Sequence, residues 1–258
     1  MCYDDNAAPP NPPGPAGAAE GEDLVLTAAD GNQFAAYIAR PATVGLGQVI
    51  IYPDVRGLHQ FYKDLALRFA EIGIAAIALD YFGRTAGVTP RDESFEFWAH
   101  VADVRVETFF QDVEAALAYL RTSHASTQSA VFPIGFCMGG SLSFISGTNP
   151  AFGFAGVIGF YAGVTRDFGG AGTILDYADK IGCPLLGLFG GADESIPATA
   201  LETLKEKLPK NGQDHTIVTY PGAPHSFFDR KAEQYAEFSA DAWQKILNFM
   251  VEHIPQTS

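Results

Sequence analysis

The stretch VFPIGFCMGGSLSF, residues 131–144, decides the fold, because it joins an apolar run to a helical pattern through glycines. Residues 131–134 are typical of a buried strand, and the spacing from residue 140 onward is typical of a helix. Between them, GFCMG (135–139) has a possible nucleophile flanked by glycines. This pattern predicts a sharp strand-to-helix turn that exposes the Cys137 side chain. The alternative is a buried structural cysteine, since free cysteines are among the most buried residues.

The composition around this stretch indicates one large domain with an acidic surface. The chain has 258 residues, of which 47% are hydrophobic, and a single α/β domain often reaches this length. Residues 1–21, rich in Pro, Ala and Gly, predict an extended tail, and residues 22–258 predict one domain. A formal net charge of −14 argues against binding to nucleic acid or to an anionic membrane surface.

The cysteines and the apolar runs indicate the compartment. Three scattered cysteines are too few for a disulfide framework or a zinc site. The first residues lack the basic and apolar regions of a secretory signal, and no apolar run approaches the ~18–20 residues of a membrane span. We expect a cytoplasmic protein without a metal or organic cofactor, either a monomer or a small homo-oligomer.

Hydrophobic periodicity predicts the remaining elements. DLVLTA and QFAAYIARP, joined by a turn at Asp30-Gly31, predict an N-terminal hairpin. Later apolar runs alternate with amphipathic segments, including long predicted helices over 100–122 and 231–254. This alternation predicts a mostly parallel sheet with helices on both faces. The connection 84–99 breaks the alternation and is a candidate cap over a site.

Two later loops hold the partners that a cysteine nucleophile requires. A base must keep the thiol ionised, and a third group must orient that base. Asp193 follows one predicted strand and His225 follows the next, so both lie where open α/β sheets build their sites. The order nucleophile, acid, histidine predicts a triad of Cys137, Asp193 and His225. Glu194 is the alternative acid, but Asp193 directly follows the Gly-Ala turn.

The segments GFCMGG, GGADESIP, PGAPHSFFD and YPDVRGLHQF resemble the dienelactone hydrolase family, a branch of the α/β-hydrolases. The resemblance extends from the hairpin to the final helix and implies the α/β-hydrolase fold and a Cys-His-Asp triad. It also implies that Asp54 activates the thiol, where well-studied members carry a glutamate. By the same match, the backbone N–H groups of Val55 and Met138 form the oxyanion hole.

The resemblance further implies a small lactone or carboxylic ester as substrate, hydrolysed through a thioester intermediate. Family arginines bind the substrate carboxylate. Arg84 matches one of them; the second position holds Asp229, with Arg230 one residue later. Tyr161 in FYAG follows a predicted strand, where it either lines the pocket or belongs to the core. Two other functions stay open: a catalytically silent thiol sensor or binding protein, and a thiol-dependent acyltransferase.

Overall fold

An eight-stranded sheet runs through the molecule in the order β1-β2-β4-β3-β5-β6-β7-β8. The computed structural model describes residues 6–43, 45, 47–123, 130–168, 170 and 172–254. The strands are β1 (Ala19–Thr27), β2 (Gln33–Pro41), β3 (Gln48–Tyr52), β4 (Ala75–Leu79), β5 (Val131–Phe136), β6 (Val157–Phe160), β7 (Leu185–Gly190) and β8 (His215–Tyr220).

Eight α-helices accompany the sheet within the described residues. They are α1 (Gln60–Glu71), α2 (Gly83–Ala86), α3 (Trp98–Val101), α4 (Val106–Ser123), α5 (Met138–Ser146), α6 (Ile174–Tyr177), α7 (Ala198–Lys207) and α8 (Ala236–His253). Two short 3₁₀ turns, Pro150–Phe152 and Ala178–Lys180, complete the helical structure. Among these residues, no helix combines the length and the hydropathy that crossing a bilayer requires.

Strand directions confirm the predicted α/β-hydrolase architecture. β1 pairs with β2 and β2 with β4 in antiparallel register, whereas every pair from β4 through β8 is parallel. All residues of β3 to β7 are buried, because helices cover both faces of a parallel sheet. The carboxyl ends of β3, β5, β6, β7 and β8 therefore meet at one edge.

Three predicted boundaries differ from the structure. β1 begins at Ala19, inside the predicted tail, because residues 19–21 pair with residues 39–41. The helix predicted from residue 100 is divided into α3 and α4, and at the break the Arg105 guanidinium donates to the carbonyls of Ala102 and Val104. The last helix begins at residue 236 rather than 231. The backbone N–H groups of the preceding residues form turns instead, for example the bond from the Lys231 N–H to the Ser226 carbonyl.

The N-terminal segment lies on the domain surface. The Trp243 indole N–H donates to the Pro10 carbonyl at 3.0 Å, and the Gly17 N–H donates to the Glu71 carbonyl at 2.7 Å. These bonds join the segment to α8 and to the end of α1. Cys2 lies outside the described residues.

Candidate active site

Cys137 occupies a strained turn between β5 and α5. Its φ is 54° and its ψ is −113°, a conformation that costs a non-glycine residue about 1–3 kcal/mol. The turn is tight enough that a Cβ at Gly135 would overlap the Gly139 carbonyl, and one at Gly139 would overlap the Tyr52 and Pro53 carbonyls. The two glycines therefore permit the close approach that leaves Cys137 partly exposed.

His225 and Asp193 meet at the adjoining strand ends. The His225 Nδ1 lies 2.6 Å from Asp193 Oδ2. The other carboxylate oxygen, Oδ1, accepts hydrogen bonds from the Ser195 N–H at 2.9 Å and from the Ser195 hydroxyl at 2.6 Å. Asp193 is thus held on both oxygens, with one of them directed at the imidazole. Glu194, the alternative acid, is exposed and lines the cavity.

Opposing effects set the ionisation of Asp193. Burial alone raises its pKa, but the hydrogen bond and charge of His225 and the two bonds from Ser195 outweigh burial and lower the pKa. The carboxylate consequently stays ionised at neutral pH. An ionised acid at Nδ1 holds the proton there and leaves Nε2 as the nitrogen that can accept a proton.

A cavity of about 500 Å³ opens above these residues. Cys137, Asp193 and His225 all line it. The other lining residues are Val55, Phe97, Trp98, Arg166, Ala192, Glu194, Ser195, Pro224, Ser226, Arg230 and Lys231. The volume lies within the range of small-molecule sites. The structure thus brings the three predicted triad residues to one small-molecule-sized cavity.

Val55 and Met138, the predicted oxyanion donors, lie on the two segments that flank Cys137 and the cavity. Val55 lines the cavity, in the loop that follows β3. Met138 is the first residue of α5, directly after Cys137, so its N–H has no acceptor within the helix. The predicted pair thus has one member directly after Cys137 and one in the β3 loop, and its role in binding an oxyanion stays a prediction.

Asp54 is fully buried and does not line the cavity. Its Oδ1 accepts the Arg56 N–H at 2.8 Å, and its own N–H donates to the Tyr62 hydroxyl at 3.0 Å. Tyr161 is also fully buried, and its ring centroid lies 4.7 Å from that of His225. Tyr161 therefore packs against the histidine ring and is not part of the cavity lining.

The structure does not bring Arg84 to the cavity. Its guanidinium forms ion pairs with Asp30 and, at 2.8 Å, with Asp112, and it donates to the Thr108 carbonyl at 3.1 Å. These bonds join α2 to the hairpin turn and to α4. Because they hold the guanidinium away from the cavity, the prediction that Arg84 binds substrate is not supported by its position.

Other cationic side chains line the cavity instead. Arg166, in the loop after β6, and Lys231 were not predicted, and they join the predicted Arg230. Both residues follow strands whose carboxyl ends face the cavity, which could have marked them as candidates. Other polar residues occupy the same loops, so position alone does not single them out. Phe97 and Trp98, at the end of the predicted cap 84–99, add an aromatic wall. Arg91 anchors that segment through a buried ion pair with Asp80 at 2.9 Å.

Possible metal ligands gather elsewhere in the described part of the chain. Asp214, Glu252 and His253 could each offer one ligand atom to a shared ion. They stand before β8 and at the end of α8, at the sheet edge opposite Cys137. Both acids are exposed, as solvated surface acids commonly are.

Comparisons with known proteins identify a family for this arrangement. The sequence profile of the dienelactone hydrolase family matches residues 34–254. A Synechocystis sp. protein named "Putative carboxymethylenebutenolidase" is 35% identical over 222 residues, which cover 83% of this chain and 89% of that protein. A Bradyrhizobium sp. protein named "Probable 2-oxo-3-(5-oxofuran-2-ylidene)propanoate lactonase" is 26% identical, over 90% of this chain and 94% of its own length.

A solved structure agrees with the sequence relatives. The crystal structure titled "Putative Dienelactone Hydrolase", from Klebsiella pneumoniae, superposes with a TM-score of 0.78 at 25% identity. The superposition covers 91% of this chain and 99% of that one. Profile, relatives and structure therefore point to the same family.

Proposed function

Because the chain belongs to the dienelactone hydrolase family and is a hydrolase acting on a lactone or ester, we propose that it works through a triad of Cys137, His225 and Asp193. One observation carries this proposal. His225 Nδ1 lies 2.6 Å from Asp193 Oδ2, and both residues line the same cavity as Cys137, which sits in the turn between β5 and α5. A structural cysteine would need neither the oriented base nor the strained turn.

The proposed reaction has two steps. His225 Nε2 takes the Cys137 proton, and the thiolate attacks the carbonyl carbon of the lactone or ester. The carbon–oxygen bond breaks, and the leaving alkoxide takes the proton from the imidazolium. In a lactone, this alkoxide remains tethered to the acyl group. His225 then deprotonates a water that attacks the thioester. The carbon–sulfur bond breaks and releases the carboxylic acid, and the departing thiolate takes the proton back from the imidazolium.

The negative charge that develops on the carbonyl oxygen needs fixed donors. We assign these to the backbone N–H groups of Val55 and Met138, and one such donor is worth roughly 3–4 kcal/mol in related chemistry. Both N–H groups belong to segments packed tightly around the elbow, since Gly139 lies against the carbonyls just before Asp54. The donors are therefore held in place before the substrate arrives.

Asp54 fits a role in thiol activation from beneath the elbow. Burial raises the pKa of Tyr81 well above its ordinary value, and nearby charges that include Asp54 and Cys137 add to this effect. The Tyr81 hydroxyl donates to the Pro53 carbonyl at 2.6 Å. Asp54 and Cys137 both lie near this phenol, and in the proposed role the Asp54 carboxylate accepts the thiol proton, because its negative charge alone would disfavour the thiolate.

The cavity walls favour a substrate with an anionic group. Apart from the triad, the cavity lining has three cationic side chains, Arg166, Arg230 and Lys231, and one acidic side chain, Glu194. This local excess of positive charge contrasts with the net charge of −14 of the whole chain. A local cationic surface on an acidic protein selects for anions at short range. We propose that the substrate is a small lactone or ester that carries a carboxylate, and that Arg230 and Arg166 bind this group.

A reducing compartment fits the thiol chemistry. Cys137 and Cys183, the two cysteines in the described residues, are both free thiols. A nucleophilic thiol must remain reduced to function. We therefore keep the cytoplasm as the proposed location.

The decisive experiment replaces the nucleophile. We expect Cys137→Ala to abolish turnover of p-nitrophenyl acetate and of simple lactones, whereas Cys183→Ala retains it. Rapid acid quench of the wild-type protein should trap an acyl adduct on Cys137 in the mass spectrum. Turnover that survives Cys137→Ala would refute the triad.

Two outcomes separate the alternatives. A wild-type protein without turnover, but with rapid oxidation of Cys137 by peroxide, would indicate a thiol sensor. Products that form esters with an added alcohol in preference to free acid would indicate an acyltransferase.

A further inference from the structure

Asp229 lies buried beneath the triad and contacts Tyr161. Its Oδ2 accepts a hydrogen bond from the Tyr161 hydroxyl at 2.6 Å, and its Oδ1 accepts the backbone N–H of Arg230. Only 2% of Asp229 is exposed. Both oxygens are therefore held, and the carboxylate cannot reach a ligand in the cavity.

Tyr161 carries this contact to the histidine. Its ring centroid is 4.7 Å from the His225 ring, with the planes inclined at 52°. The backbone of Tyr161 has a φ of 35°, an uncommon conformation for a residue with a side chain. Its N–H donates to the Leu188 carbonyl at 2.8 Å, which holds it to β7. The strained residue thus fixes an aromatic ring against the base of the triad.

The charges around Asp229 are also unusual. The titratable side chains that influence it are Asp54 from the loop after β3, Tyr161 from the loop after β6, and His225 from its own loop. Burial is the main reason that the pKa of Asp229 is raised to about 7, and the charge of Asp54 raises it further. The hydrogen bond from Tyr161 and the charge of His225 act in the opposite direction and lower this pKa. The attraction between Asp229 and His225 is mutual, so an ionised Asp229 favours the imidazolium.

We propose that Asp229 and Tyr161 form a positioning pair, in which the carboxylate fixes the tyrosine ring against His225 and adds a second negative charge behind the imidazolium. The inference rests on the proposed function of Cys137 and His225. Neither residue touches the substrate. Asp193 orients the histidine at Nδ1, whereas this pair supports its ring from below.

The sign of the pH effect follows from the carboxylate. Below its pKa Asp229 binds a proton, loses its charge and no longer favours the imidazolium. Above that pKa the charge is present and supports the histidine. Support for catalysis should therefore increase as the pH rises through neutrality, in addition to any titration of the triad itself.

The test compares Asp229→Asn, Tyr161→Phe and the double variant in p-nitrophenyl acetate hydrolysis from pH 5.5 to 9. We expect each variant to lower kcat about tenfold at pH 8.5, the effect of a ~1.4 kcal/mol interaction, with KM within about twofold. The double variant should be no slower than the slower single variant, because both substitutions act through the same contact between Tyr161 and Asp229. The ratio of wild-type to Asp229→Asn activity should fall toward about 1 at pH 5.5.

Two comparable groups elsewhere in the molecule provide the controls. Tyr220→Phe removes a similar hydrogen bond, from the Tyr220 hydroxyl to Asp241 at 2.8 Å, and Asp112→Asn removes another buried carboxylate. Both controls should keep wild-type kcat and pH profile, and thermal melting should show whether all variants fold.

Two results would overturn the positioning pair. One is an Asp229→Asn activity within twofold of wild type at every pH; the other is a loss that is equal at every pH and matches the loss in the controls. Failure of the triad itself is separate, because it would appear as turnover in Cys137→Ala, whatever the Asp229 variants do.

Discussion

Cys137 and Cys183 lie at opposite edges of the same sheet and differ in almost every physical respect. Cys137 follows the carboxyl end of β5, is partly exposed and lines the cavity with His225. Cys183 stands before the amino end of β7, is buried and does not line the cavity that Cys137 lines. Burial raises the pKa of the Cys183 thiol to about 12.

The difference shows that position in the fold, and not residue type, decides what a thiol does. A parallel sheet gathers loops at its carboxyl edge, where strand ends present side chains to a cleft. At the amino edge, the same residue type serves as a small apolar side chain. Each prediction below changes one feature that distinguishes the two cysteines.

The largest expected difference is in alkylation rate. A thiol with a pKa near 12 is about 10⁻⁴ ionised at pH 8, and only the thiolate reacts. We expect iodoacetamide to modify Cys137 at least ~10²-fold faster than Cys183 in the native protein. Peptide mass spectrometry over time measures both rates, and denaturation should bring them together. Equal native rates would remove the distinction.

The next prediction removes the acid that orients the base. Asp193→Asn should lower kcat by about 10²-fold or more, because the amide can present the wrong hydrogen-bond partner to His225 Nδ1. Steady-state hydrolysis of p-nitrophenyl acetate measures the loss. Glu194→Gln, one residue away and exposed, is the matched control and should retain kcat. Equal losses in both variants would mean that the acid is assigned wrongly.

A third prediction compares a glycine near each cysteine. In Gly139→Ala, the new methyl group would overlap the Tyr52 and Pro53 carbonyls, and we expect a loss of roughly 2–3 kcal/mol in unfolding free energy. A Cβ at Gly147 would meet Cys183 Sγ at 3.2 Å and the Phe144 carbonyl at 3.1 Å, with φ at −64°. Gly147→Ala should therefore cost less than about 1 kcal/mol. Urea denaturation compares them; similar midpoints would contradict the steric argument.

The fourth prediction concerns stability at alkaline pH. The pKa of Cys183 is higher in the folded than in the unfolded protein, so its stabilising contribution is complete below the unfolded value and is lost as the pH rises toward 12. Between pH 8 and 10, the wild type should lose on the order of 1–2 kcal/mol more than Cys183→Ala. Urea unfolding at both pH values measures this difference. Parallel pH dependence would exclude ionisation of Cys183 as its cause.

The smallest expected effect lies in substrate binding beside Cys137. Arg166→Gln should raise KM several-fold, by about 1 kcal/mol, for an ester that carries a carboxylate. The KM for neutral p-nitrophenyl acetate should not change, which provides the internal control. Equal increases for both esters would show that Arg166 shapes the cavity without binding the anion.

Local pattern was sufficient to predict the sheet, the hairpin and the convergence of Cys137, Asp193 and His225. Strand periodicity and chain order carry that information within short segments. Arg84 shows where such reasoning fails, because its partners Asp30 and Asp112 lie 54 and 28 residues away in the chain. The position of Arg166 and the start of α8 could not be predicted for the same reason. Where a loop side chain lies, and where turn hydrogen bonds replace a helix, depends on contacts between distant parts of the chain, and a short sequence pattern does not contain them.

The two tryptophans of the chain occupy environments that spectroscopy can tell apart. Trp98 stands on the cavity wall with 61% of its surface exposed, whereas Trp243 is buried and binds the Pro10 carbonyl. Trp98 should emit at longer wavelength and respond to quenchers in solution, and Trp243 should emit at shorter wavelength and resist them. One emission spectrum can thus report occupancy of the cavity and detachment of the N-terminal segment as separate signals.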